Sequence, residues 1–436
     1  MSRDMKYSGN EYFGLVPNSW NVTQLKRLCG RITDGSHFSP KTVSDGEKYI
    51  TVSNVYDDEI HLNEASEIST ADFELLQNTG CQPKQGDVLL AKDGTVGRTA
   101  IVNDNNFVVL SSLGILSPGV KYRSLYLKRL LDSDALQAQM KNKMKGSALQ
   151  RITISVIQNL TGTCPSLEEQ DAIISYMEPK CASIDSAISK HQQIIEKLEE
   201  YRKAVITQAV TNGLNPNVEM KDSGDSIIPI VPSHWLWTRV KFTVNVVRGG
   251  SPRPIEQYII GEKEDGYNWI KIGDATGGGK FIIATKQRIK PDGLNKTRLV
   301  HAGTLLLTNS MSFGHPYFLQ IDGCIHDGWL AFSDYKGVLP AFLYYYLMSE
   351  TTAHQFTTTA DGSVVQNLNI DKVRNSHIAL PPIVEQKAIV QYLDTVDGKI
   401  NTAIQHHNQI IEKLQEYKQS LIYNAVTGKI DCTTEA

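Results

Sequence analysis

One long helical segment is written twice in this chain. His191-Gln192-Gln193-Ile194-Ile195-Glu196-Lys197-Leu198-Glu199-Glu200-Tyr201 returns as His407-Asn408-Gln409-Ile410-Ile411-Glu412-Lys413-Leu414-Gln415-Glu416-Tyr417, 216 residues later, and Ala209-Val210-Thr211 returns as Ala425-Val426-Thr427. The offset is about half of the 436 residues. An internal repeat fixes how often each structural unit occurs before any local motif is read. Here the unit is a globular segment followed by a long helix, used twice.

The first helical copy opens at Pro165-Ser166-Leu167-Glu168-Glu169, where Ser166 and Glu169 have capping-box spacing and Pro165 bars a helix from continuing upstream. The second opens at Pro381-Pro382-Ile383-Val384-Glu385-Gln386. Steps of three and four residues mark one apolar seam per copy: Ile184, Ala187, His191, Ile194, Leu198, Tyr201 and Val205, then Ala403, His407, Ile410, Leu414, Tyr417 and Leu421. A helix with one seam needs one partner, and the simplest partner is the other copy. Pro179 predicts a break into a short helix near 167–178 and a long one near 182–211, the latter about 45 Å long. Asn212-Gly213 and Gly428 supply stop signals.

The globular segments echo each other more faintly. Leu15-Val16-Pro17-Asn18-Ser19-Trp20 pairs with Ile230-Val231-Pro232-Ser233-His234-Trp235, and Tyr49-Ile50 with Trp269-Ile270. Gly86 to Leu90 with Gly97 pairs with Gly303 to Leu307 with Gly314, and Gly146 to Gln150 with Gly362 to Gln366. Short β-rich runs between Gly and Asn turns predict mixed α/β domains with a curved sheet. Residues 214–228 are polar and turn-rich and read as a linker.

No apolar run approaches the length of a membrane span, and the start lacks a secretory signal, so the expected location is the cytoplasm. The six cysteines are scattered, without zinc-ligand spacing. Net charge is −3 overall and +1, −3, +1 and −2 over residues 1–165, 166–213, 214–380 and 381–436, so the helices carry the negative charge. A nucleic-acid ligand would need positive side chains gathered on one face of each globular segment.

Nucleotide cradles of the Gly-x-Gly-x-x-Gly and Gly-x-x-x-x-Gly-Lys-Ser/Thr forms are absent. Gly277-Gly278-Gly279-Lys280 reads as a loop tip, and Glu219-Met220-Lys221 as a solvated stretch rather than nuclease ligands. His326-Asp327 and His406-His407 come without a nucleophile. No catalytic or metal constellation is read from the sequence.

Two diverged globular segments alternating with two nearly identical helices, each opening on Pro and then Glu-Gln and closing on Ile-Ile-Glu-Lys-Leu-x-Glu-Tyr and Ala-Val-Thr, resemble the specificity subunit of type I restriction–modification systems. The resemblance covers essentially the whole chain and is most specific in the helices. It implies an α+β architecture: mixed α/β target recognition domains at 1–165 and 214–380, separated by helical conserved regions at 166–213 and 381–436. The helices would form an antiparallel intramolecular coiled coil with pseudo-twofold symmetry. It further implies a non-catalytic chain that reads a bipartite double-stranded DNA target with an unread spacer. Two methyltransferase subunits would dock on the helices, S-adenosylmethionine would sit on those partners, and a restriction subunit would join where the system carries one. A protein-binding coiled-coil adaptor and an enzyme with a cryptic nuclease or methyltransferase site are the rival readings.

For base and phosphate contact, turn-rich loops with donor side chains point to Arg31, Ser36 and His37, and to Lys92 and Arg98, with Lys143, Lys145 and Arg151 beside them. In the second domain they point to Arg248, Ser251 and Arg253, and to Asn309, Ser310 and His315. Docking on the helices is expected of the seam residues Ile184, His191, Ile194, Leu198, Tyr201, Val205, His407, Ile410, Leu414, Tyr417 and Leu421.

Overall fold

The protein is described by a computed structural model covering residues 3–145, 150–262, 264–275, 279–310, 314–358 and 368–433. Its chain separates into two compact units, residues 1–191 with 408–436 and residues 192–407. Each unit combines one globular segment with part of both long helices. The loop tip at Gly277 and Gly278, and the echo of Gly146 to Leu149 with Gly362 to Gln366, lie outside the described residues.

In the first unit the strands used below are β1 (Cys29–Asp34), β2 (Glu47–Ile50), β3 (Val55–Tyr56), β4 (Glu59–Ile60), β5 (Val88–Ala91), β6 (Thr99–Ile101), β7 (Phe107–Val109) and β8 (Leu113–Pro118). A four-stranded antiparallel sheet runs β6-β5-β8-β1, and a second four-stranded sheet contains β7 parallel to β2. The helix α1 (Ser124–Asp132) packs behind the first sheet and leads into the long helix α2 (Leu167–Asn212). The second unit repeats this plan with β9 (Asn245–Arg248), β10 (Tyr267–Ile270), β11 (Phe281–Ile282), β12 (Leu305–Thr308), β13 (Pro316–Leu319), β14 (Gly323–Ile325) and β15 (Trp329–Ser333), then α3 (Pro340–Met348) and the long helix α4 (Ile383–Val426). Its main sheet runs β9-β15-β12-β13-β11, and β10 lies parallel to β14 in a second sheet. The central strands β5 and β12 are buried along their whole length, as the uninterrupted apolar runs Val88-Leu89-Leu90-Ala91 and Leu305-Leu306-Leu307 require.

The Glu-Gln motif at each helix start has a structural cause. Gln170 is fully buried; its amide donates to the Lys121 and Pro165 carbonyls and accepts from Arg123 N–H. Gln386, 216 residues on, donates to the Gly337 and Pro381 carbonyls and accepts from Leu339 N–H. The glutamine thus satisfies the loop that enters α1 or α3 and fixes the first turn of the long helix beneath it. The expected capping box forms, with Glu169 N–H donating to Ser166 Oγ at 3.2 Å and Ser166 N–H to Glu169 Oε2 at 3.1 Å. Gly213 and Gly428 end the helices at φ +79° and +70°. A Cβ on Gly428 would meet the Pro17 ring at 2.4 Å, so the closing glycine is set by packing as well as by φ.

Three sequence expectations are corrected. Pro179 does not divide the first copy, since α2 passes through it without interruption. An interior proline removes one helical bond and costs about 3 kcal/mol. On either side, Ile173, Met177, Cys181 and Ile184 are buried in one core with Leu421, Ile422 and Val426, and that packing holds both turns. The seam is also rotated at alternate positions. Ile194, Tyr201 and Tyr417 are exposed, while Ile195, Arg202 and Lys418, one residue later, are half-buried. Arg202 forms an ion pair with Asp397 at 3.0 Å and donates to Asn401, and Lys418 donates to Asp185 at 2.7 Å. Their aliphatic stems cover the seam while their charges reach acids on the neighbouring helix, turning the tyrosines outward. The remaining seam residues keep inward positions: Ile184 and Leu421 are buried, and His191, Leu198, Val205, His407, Ile410 and Leu414 are half-buried. Finally, the stretch read as a linker contains a strand, Met220–Asp222, paired with Ile230–Pro232, and Lys221 Nζ donates to the Trp235 carbonyl. Met5–Tyr7 pairs with Leu15–Pro17 in the same way in the first unit.

Candidate nucleic-acid interface

The polar loops at the end of each main sheet are held by one backbone frame that both units share. In the first unit, Gly35 N–H donates to the Leu113 carbonyl, Ser36 N–H to Val109, Lys92 N–H to Ser112, and Ile152 N–H to the Lys92 carbonyl. In the second, Gly249 N–H donates to Trp329, Gly250 N–H to Ile325, Asn309 N–H to Gly328, and Leu368 N–H to the Asn309 carbonyl. The tight loops after β5 and β12 close identically: Gly97 N–H returns to Ala91 and Gly314 N–H to Thr308, at φ +100° and +83°. A left-handed residue is needed at that point of the turn, which only glycine adopts without cost. The frame therefore places Lys92 and Asn309 at one equivalent position, and Asp34 and Arg248 at another.

In the first unit the frame gathers the predicted loops. Asp34, at the end of β1, lies 3.5 Å from Lys92 Nζ and 3.2 Å from His37 Nε2, and Asp93 lies 3.7 Å from Lys92. Lys92 is buried, so its charge is compensated by two carboxylates, whereas His37 is exposed. Lys145 and Arg151 exchange backbone bonds, and the Gln150 carbonyl accepts from Gly94 N–H, which brings Lys145, Gln150 and Arg151 against the 92–98 loop. Arg98, Lys143, Lys145 and Arg151 are exposed. Two candidates are structural instead. Ser36 is buried, with its Oγ bonded to both the N–H and the carbonyl of Phe38, and Arg31 donates to the Gly80 carbonyl.

The second unit centres on Asp327, which sequence reasoning set aside. Ser251 Oγ donates to Asp327 Oδ1 at 2.8 Å, His326 Nε2 lies 2.9 Å from the same oxygen, and Arg253 is 3.6 Å from Oδ2. The Asp327 carbonyl accepts from Arg248 Nε at 2.8 Å and from Asn309 Nδ2 at 3.0 Å. Burial alone would raise the Asp327 carboxyl pKa, but Ser251, His326, Arg253 and Arg248 hold it below its usual value. Burial also pushes the His326 imidazole down, opposed by Asp327 and aided by Arg253, Lys271 and Arg248. The hydroxyl of Ser251 is bonded to the carboxylate and not to the imidazole, so this trio lacks the base-to-nucleophile contact of a hydrolytic triad. Ser310 and His315 flank the turn after β12, with His315 exposed; residues 311–313 between them are outside the described set. Among the described residues, no group of three His, Cys, Asp or Glu side chains could hold a metal ion.

Asp34, Asp93 and Asp327 are the polar groups that sequence reading missed. Each is one acid among many in a turn, and its importance comes from partners brought close by the shared frame.

A repeated scaffold carrying two chemically different clusters of donors and acceptors defines a two-headed recognition protein. The chain belongs to the type I restriction modification DNA specificity domain family, which it matches over residues 17–200 and 253–415, one stretch in each half. It is 24% identical over 362 residues to the type I restriction enzyme MjaVIII specificity subunit of Methanocaldococcus jannaschii, spanning 79% of this chain and 76% of that one. It is also 22% identical over 300 residues to the EcoBI specificity subunit of Escherichia coli, spanning 65% and 61%. A chain from a solved type I restriction–modification assembly shares its fold, with a TM-score of 0.68 at 18% identity over 95% of this chain and 99% of that one. Its function is that of a type I specificity subunit, recognition of a DNA sequence. No helix among the described residues is long and apolar enough to cross a membrane.

Proposed function

We propose that the two loop clusters read the two halves of a split double-stranded DNA target, and that the long helices dock two methyltransferase subunits and set the unread spacer. The observation that carries this reading is the shared frame presenting Asp34 with Lys92 in one unit and Arg248 with Asn309 in the other. One scaffold with different base-facing chemistry at equivalent positions is what reading two different half-sites requires. The exposed Arg253 and Arg248 are suited to guanine or phosphate, with the buried Asn309 amide holding the Asp327 carbonyl that Arg248 also contacts, while Arg98, Lys143, Lys145 and Arg151 suit phosphates. The outward Tyr201 and Tyr417, at equivalent points of the repeat, and the exposed Ile194 supply apolar contact area for the methyltransferase partners. The chain itself performs no chemistry in this reading: S-adenosylmethionine binds the partners, which flip the target adenine. A restriction subunit joins through them.

The test is a pair of measurements on the full chain with and without its methyltransferase. Because both recognition segments are near neutral, the chain alone should bind DNA weakly and the assembly tightly, with methylation confined to one split sequence. Methylation without a split target, or target-specific binding by the chain alone at physiological salt, would overturn the reading.

A further inference from the structure

The repeat places a second shared feature away from the loop clusters, where α1 or α3 of each globular segment meets its long helix. In the first unit Arg129 of α1 is buried and donates from Nε and Nη2 to both carboxylate oxygens of Glu178 on α2, at 2.8 and 3.1 Å. Its Nη1 reaches Asp58 at 3.0 Å, and the buried Lys128 holds Asp58 and Asp132 at 2.8 Å each. Asp58 sits in the two-residue turn of the β3-β4 hairpin, where Asp57 and Asp58 both adopt left-handed φ, +50° and +64°. That turn type ordinarily takes Asn-Gly, so the second aspartate is placed there against local preference.

Adding the repeat offset turns Arg129 into Tyr345 and Glu178 into Asp394. Tyr345 OH donates to Asp394 Oδ1 at 2.5 Å, the same helix-to-lobe contact made with different chemistry. The third member here is Lys280, beside β11 at the edge of the main sheet. Lys280 Nζ donates to Asp394 at 2.8 Å and lies over the rings of Tyr344 and Tyr345, 4.9 and 4.8 Å from their centroids.

Each third member is tied through strand pairing to the frame of the recognition loops. The β3-β4 hairpin follows β2 directly; β2 pairs with β7, and Val109 at the end of β7 accepts from Ser36 N–H. Lys280 immediately precedes β11, and its carbonyl accepts from Phe318 N–H of β13; β11 pairs with β13, β13 pairs with β12, and β12 runs into Asn309. Holding these residues on the helix therefore fixes the strand on which the 35–38 loop rests in the first unit and the strand that carries Asn309 in the second.

We propose that these junctions are two independent latches that orient the reading loops, with Arg129 and Asp58 in the first unit and Lys280 in the second as positioning residues for base discrimination. This rests on the reading of the two units as separate target readers. Neither latch touches DNA, and each acts only on the loops of its own unit.

The experiment uses the full chain assembled with its methyltransferase, a library of random duplex DNA as probe, and hydrogen–deuterium exchange on the same samples. In R129Q, amides of residues 55–60 and 35–38 should exchange faster while those of 249–253 stay unchanged. Discrimination in one half of the target should fall about tenfold, out of the roughly 10- to 100-fold that one base pair commands. K280Q should loosen 280–283 and 316–319 and relax the other half only. Because removing Arg129 leaves Glu178 unpaired and can unfold the unit, D58N, in an exposed turn, provides a milder variant with the same expected direction. Wild-type methylation without a split target would strike the reading of function, whereas wild-type specificity with unchanged exchange and discrimination in D58N and K280Q would strike the latch alone. Relaxation of both halves by one variant would also overturn it.

Discussion

The two loop clusters share their backbone bonds and differ in nearly every polar side chain. In the first unit the frame carries a buried cation, Lys92, between two carboxylates; in the second it carries a neutral amide, Asn309, beside an arginine and a shielded aspartate. The hydrogen bonds that fix the frame use main-chain N–H and C=O groups, which every residue supplies, so the side chains can change without disturbing it. The lesson is one of separation. Fold is written in glycines, buried apolar strands and helix starts, and those recur in the same order in both halves, while chemistry is written at the frame's edges, where recurrence is absent.

The most severe way to break this comparison is to exchange one half. Replacing residues 214–380 with the corresponding segment of a relative should change one half of the target completely and leave the other intact. With mismatches costing about 1–3 kcal/mol per base pair, three altered positions separate old and new targets by roughly 3–9 kcal/mol. Methylation mapping reads this directly, and joint change of both halves would end the modular view.

A smaller effect tests whether the helix repeat is energetically symmetrical. Leu421 and Val205 occupy equivalent places, yet Leu421 is buried among Met177, Ile184 and Val426 while Val205 is half-buried at the edge of its core. Leu421→Ala should cost about 2–5 kcal/mol and Val205→Ala about 1 kcal/mol, measured by denaturant unfolding of the full chain. Equal costs would mean that the two units bury their helix ends alike.

These contrasts also show how far the sequence could be read. Helix starts and stops were legible because Pro, Glu-Gln, Ser166 and the closing glycines act locally. The strand pairs were legible where apolar runs stand between turns, as in Val88 to Ala91 and Leu305 to Leu307. The seam was half legible: its period is clear, but Ile194 and Ile195 are both isoleucines, and the choice between them depends on where Arg202 and Lys418 find acids across the seam. The passage of α2 through Pro179 depends on core packing, which local propensity does not contain. The loop clusters were located because turn residues with donor side chains mark them. The acids that organise them were not, since Asp34 meets Lys92, and Asp327 meets Ser251 and Asn309, only after folding.

A finer probe compares Lys92→Ala with Asn309→Ala. Both should relax base preference, each in its own half, by about 1–3 kcal/mol at one position. Lys92→Ala should in addition lower stability by about 1–3 kcal/mol, because it leaves Asp34 and Asp93 facing each other without their cation. Melting curves alongside methylation mapping separate the two. Identical stability losses would show that Lys92 and Asn309 serve the scaffold equally, and that the chemical difference between the heads lies elsewhere.

Acid provides the mildest discrimination between the units. Burial pushes the Asp225, Asp327 and Asp394 carboxyls up, but backbone N–H groups of Ile228 and Ile227 with His377, the Ser251, His326 and arginine cluster, and Lys280 with Tyr345 respectively bring all three below their usual range. In the first unit the same balance of burial against close cations appears at Asp58, held down by Lys128 and Arg129. A carboxylate whose folded pKa is depressed contributes stability that is present above its unfolded pKa, near 4, and is lost as pH falls through the folded value. Each unit has further depressed carboxylates nearer the surface, Glu67, Glu168 and Asp431 in the first and Asp322 in the second, where solvent screens the effect. Of the more buried ones three lie in the second unit against one in the first, so the second unit should lose stability more steeply below about pH 4. Hydrogen exchange followed from pH 5 down to pH 3 should show amides of residues 245–380 losing protection before those of 29–164. Protection lost first in the first unit would mean that the Lys128 and Arg129 junction, with its unneutralised excess of cations once Asp58 is protonated, outweighs the three acids of the second.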